Sequence, residues 1–196
     1  GNVLIRIVDL PGTYSLTAFS EEERVTRDFI IKEKPDLVVL VLNAAALERG
    51  LYLLSEVLLL NRPVIVAINM LDVASAQGIE IDTRALQDSL GIPVIPMVAK
   101  RNSGIRELVN QMTALSSCDT PYSPDLPEVS ADHQEIYEDI LDQVRPYVKE
   151  PYTKEWIAVK LMEGDPEAAK IVEESAPKST RDNIEKLLIK HEDALH

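Results

Sequence analysis

Four short runs of aliphatic and β-branched residues, Val3–Val8, Leu37–Leu42, Val64–Asn69 and Val94–Met97, are separated by longer stretches whose apolar residues recur at helical spacing. A run without polar alternation fits a strand buried on both faces. Such strands joined by helices make a parallel sheet with helices on either side. The intervening stretches carry their own start and stop signals. Ser20 with Glu23 three residues on is a capping-box pattern that predicts a helix over Glu21–Glu33. Leu47–Leu60 reads as a helix with Leu51, Leu54, Val57 and Leu58 turned inward. Asp82 caps a helix to Leu90 that Gly91 ends, and Ser103 caps another over Ile105–Leu115.

After Ser116 the pattern changes. Residues 116–128 hold Pro121, Pro124 and Pro127 among Ser, Thr and Asp, a linker-like composition, and no strand candidate follows. Ala131–Val148, Thr153–Met162, Pro166–Glu174 and Thr180–Leu195 read as helices, with Ser130, Asp165 and Ser179 as N-caps and Gly164 as a stop. The division expected from this is an α/β domain over 1–117, a linker over 118–129 and a helical subdomain over 130–196. Tyr152 and Trp156 are expected to anchor the helical core.

Charge and cysteine usage narrow the function classes. Thirty-three acidic residues against 20 basic give a formal net charge of −13, which repels nucleic acid, so no nucleic-acid partner is expected. The single Cys118 cannot form an internal disulfide. No apolar run reaches the roughly 18–20 residues that span a bilayer. His133, His191 and His196 are scattered, with no pair at the i, i+4 spacing of a helical metal site, so surface or cap roles are expected for them.

Two strand ends carry the chemistry. Asp9-Leu10-Pro11-Gly12 follows the first run and Asn69-Met70-Leu71-Asp72 the third; in open α/β sheets ligands sit at the carboxyl ends of strands, so both fall on one rim. A carboxylate can accept together from the N1–H and exocyclic amine of guanine, a role that suits Asp72. The Asn69 amide can hold the neighbouring loop or meet the base. Asp9 can accept from a water on Mg2+, an ion that keeps several waters. Gly12, without a side chain, lets its N–H approach a terminal phosphate. Val98-Ala99-Lys100 follows the last run in a loop able to reach the guanine carbonyl.

DLPGTYSL, LERGLYLLSEVLLL, NMLD followed by GIEID, and VIPMVAKRNSGIREL together resemble the cytosolic G domain of the ferrous iron transport protein B family (FeoB), over about residues 3–115. The tail is similar to the small helical domain that follows it in that family. The resemblance implies a P-loop GTPase-like, Ras-like fold with a mostly parallel sheet, followed by an all-α subdomain. It also implies that GTP or GDP and Mg2+ bind, with Asp9–Gly12 as the G3 motif, Asn69–Asp72 as G4 and Val98–Lys100 as G5. By the same resemblance the domain works at the cytosolic face of the cell membrane and regulates the membrane-embedded iron(II) permease region of the same protein. A homo-oligomer is compatible with it. The family's switch II continues from Asp9–Gly12 into the helix that starts at Glu21-Glu22-Glu23, an acidic first turn that the helix dipole also favours.

Two departures temper this. The G-x-x-x-x-G-K-[ST] loop and the switch I threonine are absent, so these residues are expected to bind GTP weakly or not at all and to be part of a longer chain. Val98 stands where the family often has a hydroxyl residue. No catalytic base is assigned. The alternatives are a nucleotide-free interaction module on a degenerate GTPase fold, and an ATP-dependent α/β enzyme.

Overall fold

The computed structural model describes residues 4–17, 20–116 and 122–194, with the side chains of 191–194 left aside. Val3, Cys118, Pro121, Leu195, His196 and the side chain of His191 therefore lie outside the described residues. Among those described, three strands form one parallel sheet in the order β1 (Val38–Asn43), β2 (Val64–Asn69), β3 (Val94–Pro96). The register sets Val38 beside Val64 and Asn43 beside Asn69, while Ile68 lies beside Pro96, so all three strands end on one rim.

β2 is central and its Val64–Ile68 segment is fully buried, as a run of five unbroken apolar residues requires. One face, through Ile65, Ala67, Ile95 and Met97, packs on Leu108, Met112 and Leu115 of α5 (Ile105–Ser116). The other face, through Val64, Val66 and Ile68, packs on Leu54, Val57 and Leu58 of α2 (Leu47–Leu58). α1 (Glu21–Asp28) opens with the expected capping box: the Ser20 hydroxyl accepts from Glu23 N–H and the Glu23 carboxylate accepts from Ser20 N–H. Its last predicted turn, Phe29–Glu33, is π-helical. Asp82 caps α4 (Thr83–Leu90), and Gly91 ends it at φ +63°.

The run Leu4–Val8 corrects the sequence reading. It is not a strand, and Leu4 and Ile7 are 96% and 79% exposed. A strand exists through ladder hydrogen bonds to a neighbour. No strand among the described residues pairs with this segment or with the outer edge of β1. Its peptide groups are left to water, and apolar pattern alone does not hold it in a sheet.

Beyond the Pro-rich stretch the chain is helical: α6 (Ala131–Val144), α7 (Lys154–Met162), α8 (Pro166–Ser175) and α9 (Lys178–Ala194). Thr153 caps α7 and Asp165 caps α8, each accepting from N–H groups of the first turn, with Pro166 at the first helical position. Ser130 stands at the N-cap of α6 but makes no side-chain cap bond. Ser179 lies inside α9, which begins at Lys178, so it is not the cap the sequence suggested. Ile136, Ile140, Val144, Trp156, Ile157 and Leu161 share one continuous core with α2 and the sheet. The Pro-rich stretch is fastened as well: the Tyr122 hydroxyl accepts from Val64 N–H at 3.0 Å, and Asp125 N–H donates to the Leu90 carbonyl at 3.0 Å. Among the described residues no helix is long and apolar enough to cross a membrane.

Candidate nucleotide-binding site

At the rim, Met70 turns the chain out of β2 in the left-handed conformation, φ 65°, and a short helix, α3 (Leu71–Ala76), begins directly after it. Asp72 sits in the first turn of α3, where the helix dipole favours a carboxylate. The loop after β3 runs alongside. Met97 N–H donates to the Ile68 carbonyl at 2.8 Å, and Ala99 N–H donates to Asn69 Oδ1 at 3.0 Å. Asn69 thus holds the loop that carries Val98, Ala99 and Lys100, one of the two roles the sequence allowed it.

Lys100 Nζ lies 2.8 Å from Asp72 Oδ2, and Arg101 reaches the same oxygen at 4.0 Å. The Asp72 side chain is 16% exposed. Its hydrogen bond to Lys100 holds the carboxyl below its ordinary value of 3.8. The rim therefore presents a fixed carboxylate and, one strand over, a loop with exposed Ala99 and Lys100. Arg101 was missed in the sequence, although its place beside Lys100 was a usable signal.

The loop's return is equally fixed. Val98 and Ser103 exchange backbone hydrogen bonds at 3.2 and 3.3 Å, and Asn102 takes φ 57° between them. Gly104 follows at φ +84°; a Cβ there would stand 2.4 Å from the Pro96 carbonyl oxygen and 2.8 Å from Met97 Cγ. Gly104→Ala is expected to cost about 1–3 kcal/mol in backbone strain alone, more with the clash, read as a fall in the urea midpoint of the chain at unchanged m-value.

Asp9–Gly12 follows the Leu4–Val8 segment and makes contacts of its own. Asp9, Pro11 and Gly12 are exposed, Leu10 packs on the main core, and the Thr26 hydroxyl of α1 donates to the Pro11 carbonyl at 3.0 Å. Among the described residues no hydrogen bond or ion pair joins Asp9–Gly12 to Asn69, Asp72 or Lys100. The segment then folds back on itself, with the Thr13 hydroxyl donating to the Ser15 carbonyl at 2.6 Å and the Tyr14 ring 5.8 Å from the Arg49 guanidinium. No group of three or more His, Cys, Asp or Glu side chains among the described residues is arranged to hold a metal ion.

A parallel sheet flanked by helices, an Asn-x-x-Asp turn after its central strand, a supporting loop from the next strand and a helical tail define a G-domain fold with an appended helical domain. The family described as ferrous iron transport protein B matches residues 1–112, and the FeoB cytosolic helical domain matches residues 127–196. The chain belongs to the FeoB family. The Fe(2+) transporter FeoB of Legionella pneumophila (strain Paris) is 39% identical over 74% of this chain and 19% of its own length. The Fe(2+) transport protein A/Fe(2+) transporter FeoB fusion protein of Porphyromonas gingivalis is 34% identical over 89% of this chain and 21% of its own. This chain thus spans about a fifth of the length of the curated relatives it matches. Among solved structures, NFeoB from S. thermophilus bound to GDP.AlF4- and K+ superposes with a TM-score of 0.82 at 28% identity, over 95% of this chain and 71% of that one.

Proposed function

We propose that this chain is the guanine-nucleotide-binding regulatory part of a ferrous iron transporter, in which water attacks the γ-phosphoryl of GTP and the nucleotide state is coupled to iron uptake through a membrane-embedded permease region. In this reading Asp72 accepts from the N1–H and amine of guanine, Asn69 holds the Val98–Lys100 loop under the base, and Gly12 offers its N–H to the γ-phosphate. Mg2+, held through water by the Asp9 carboxylate, would neutralise charge on the phosphates. An exposed carboxylate at the start of a loop fits that ion, which needs few protein ligands. The work would be done at the cytosolic face of the membrane.

The observation that carries the reading is the meeting of Asp72, Asn69 and the Ala99–Arg101 loop at the ends of β2 and β3. A fixed carboxylate at that rim suits a base that offers two adjacent donors and rejects adenine, which offers one donor beside an acceptor. GDP-bound and GTP-analogue-bound NFeoB structures of S. thermophilus share the fold.

The test is a titration of a fluorescent GDP analogue into the full gene product, with GDP, IDP and ADP as competitors. GDP should displace the analogue best, IDP, which lacks the amine, less well, and ADP hardly at all. Equal displacement by ADP would establish the ATP-dependent reading, and no binding of any nucleotide the scaffold reading.

A further inference from the structure

Four charged side chains among the described residues are sealed inside the protein where the helical tail meets the segment that leaves Asp9–Gly12: Arg27 of α1, Glu56 of α2, Lys160 of α7 and Asp165 at the start of α8. Helix packing alone has no need of them, since apolar residues of similar size would fill the same space. Their bonds show what they hold. Glu56 Oε2 accepts from Leu16 N–H at 2.8 Å, and Oε1 accepts from the hydroxyls of Ser15 at 3.3 Å and Thr17 at 3.5 Å. One carboxylate thereby grips three consecutive residues of the segment.

From the other side Lys160 Nζ contacts the same Oε1, donates to the Thr17 hydroxyl at 2.8 Å and reaches Glu163 Oε2 at 2.7 Å. Burial pushes the Glu56 carboxyl above its ordinary value, with the Lys160 ammonium and the Leu16 amide pulling it back. Further along the segment, Arg27 contacts Glu167, lies 3.8 Å from Asp165 and sits 5.9 Å from the centroid of the Trp156 ring. The tail therefore holds this segment at two points.

We propose that Glu56 and Lys160 are positioning residues that couple the Ser15–Thr17 segment to the helical tail. Glu56 holds the segment through Ser15, Leu16 and Thr17, and the buried charge it carries there is neutralised only while α7 is docked. The inference rests on reading Asp9–Gly12 as the phosphate-facing motif, because only then does the position of residues 15–17 report the nucleotide. If the segment moves, Glu56 loses its partners on that side and Lys160 loses Thr17. If α7 moves, Glu56 is left as an unpaired buried charge. Each event makes the other easier, so the two share one equilibrium.

The test is amide hydrogen exchange on the full gene product, read on peptides covering Leu16–Thr17 and Lys154–Met162, first without nucleotide. Lys160→Met should lower protection of both peptides at least about tenfold, the fold-change that corresponds to losing a hydrogen bond to a charged acceptor. The double variant Glu56→Gln with Lys160→Met should restore protection at Leu16–Thr17, because the Gln carbonyl still accepts from Leu16 N–H and needs no cation. The proposal fails if Lys160→Met leaves Leu16–Thr17 as protected as in wild type, or if the double variant does not restore it. In a second arm, exchanging a GDP for a GTP analogue should change both peptides together in wild type and only Leu16–Thr17 in the double variant. Parallel changes in the double variant would overturn the coupling. Absence of nucleotide binding would overturn the proposed function and leave the first arm to decide the pairing.

Discussion

Asp72→Asn in the full gene product should turn its preference from guanine to xanthine nucleotides. A carboxylate accepts from both N1–H and the exocyclic amine of guanine, whereas an asparagine amide accepts once and donates once. Xanthine, with a carbonyl in place of the amine, then becomes the matched partner. Replacing two hydrogen bonds to an ionised acceptor, about 1.5–3 kcal/mol each, by one neutral bond and one donor clash should weaken GDP binding by roughly a hundredfold or more. XDP should gain by a comparable factor, measured by competition against a fluorescent GDP analogue. The fold should be almost untouched, because the Lys100 and Arg101 partners of Asp72 are solvent-facing and such pairs contribute little. Since the carboxyl lies below 3.8, it is ionised well above that pH, and wild-type selectivity should stay flat between about pH 5 and 8. Unchanged GDP affinity in Asp72→Asn would remove this side chain from the site.

Trp156→Ala should produce the largest loss of stability. The indole is fully buried, stacks on Tyr152 with ring centroids 6.0 Å apart, and lies under the Arg27 guanidinium. Truncation would remove that packing and leave a cavity beside a buried cation, a cost of about 3–5 kcal/mol. For a chain of this size that lowers Tm by roughly 6–20 °C, measured by calorimetry. Trp156→Phe is the informative control. The indole Nε1 has no hydrogen-bond partner among the described residues, so phenylalanine discards an unsatisfied donor and keeps most of the aromatic area. It should cost much less than alanine. An equal loss in both would mean that the indole N–H, and not the packing, matters.

The parts legible in the sequence were those whose signal is local. β1, β2 and β3 follow from unbroken aliphatic runs, and Ser20, Asp82 and Asp165 start helices as their side-chain chemistry requires, while Thr153, expected as the first residue of its helix, caps it instead. Asn69 and Asp72 could be placed at a strand end, and Val98–Lys100 in the loop after the next strand, because each falls just after a buried run; that Asp9–Gly12 shares their rim is part of the proposal. The Leu4–Val8 run shows the limit of that reasoning: composition reports a demand for burial, while a strand exists only where its ladder hydrogen bonds are made. α3 was missed because six residues are too few for a period to register, and Met70, which starts it, is not a capping residue. Glu56 and Lys160 were missed for another reason. They are 104 residues apart, and a charged side chain on a helix reads as solvent-facing until its partner is known.

The single Asn69 amide oxygen that ties down Ala99 also has a kinetic meaning. A loop already fastened to the strand beside it has surrendered its freedom before any guest arrives, so docking need not wait for it to order, and little of the binding energy goes into freezing it. Differences between a matching and a mismatching base at such a prepared edge would then appear mainly in how long each stays, with arrival rates nearly the same.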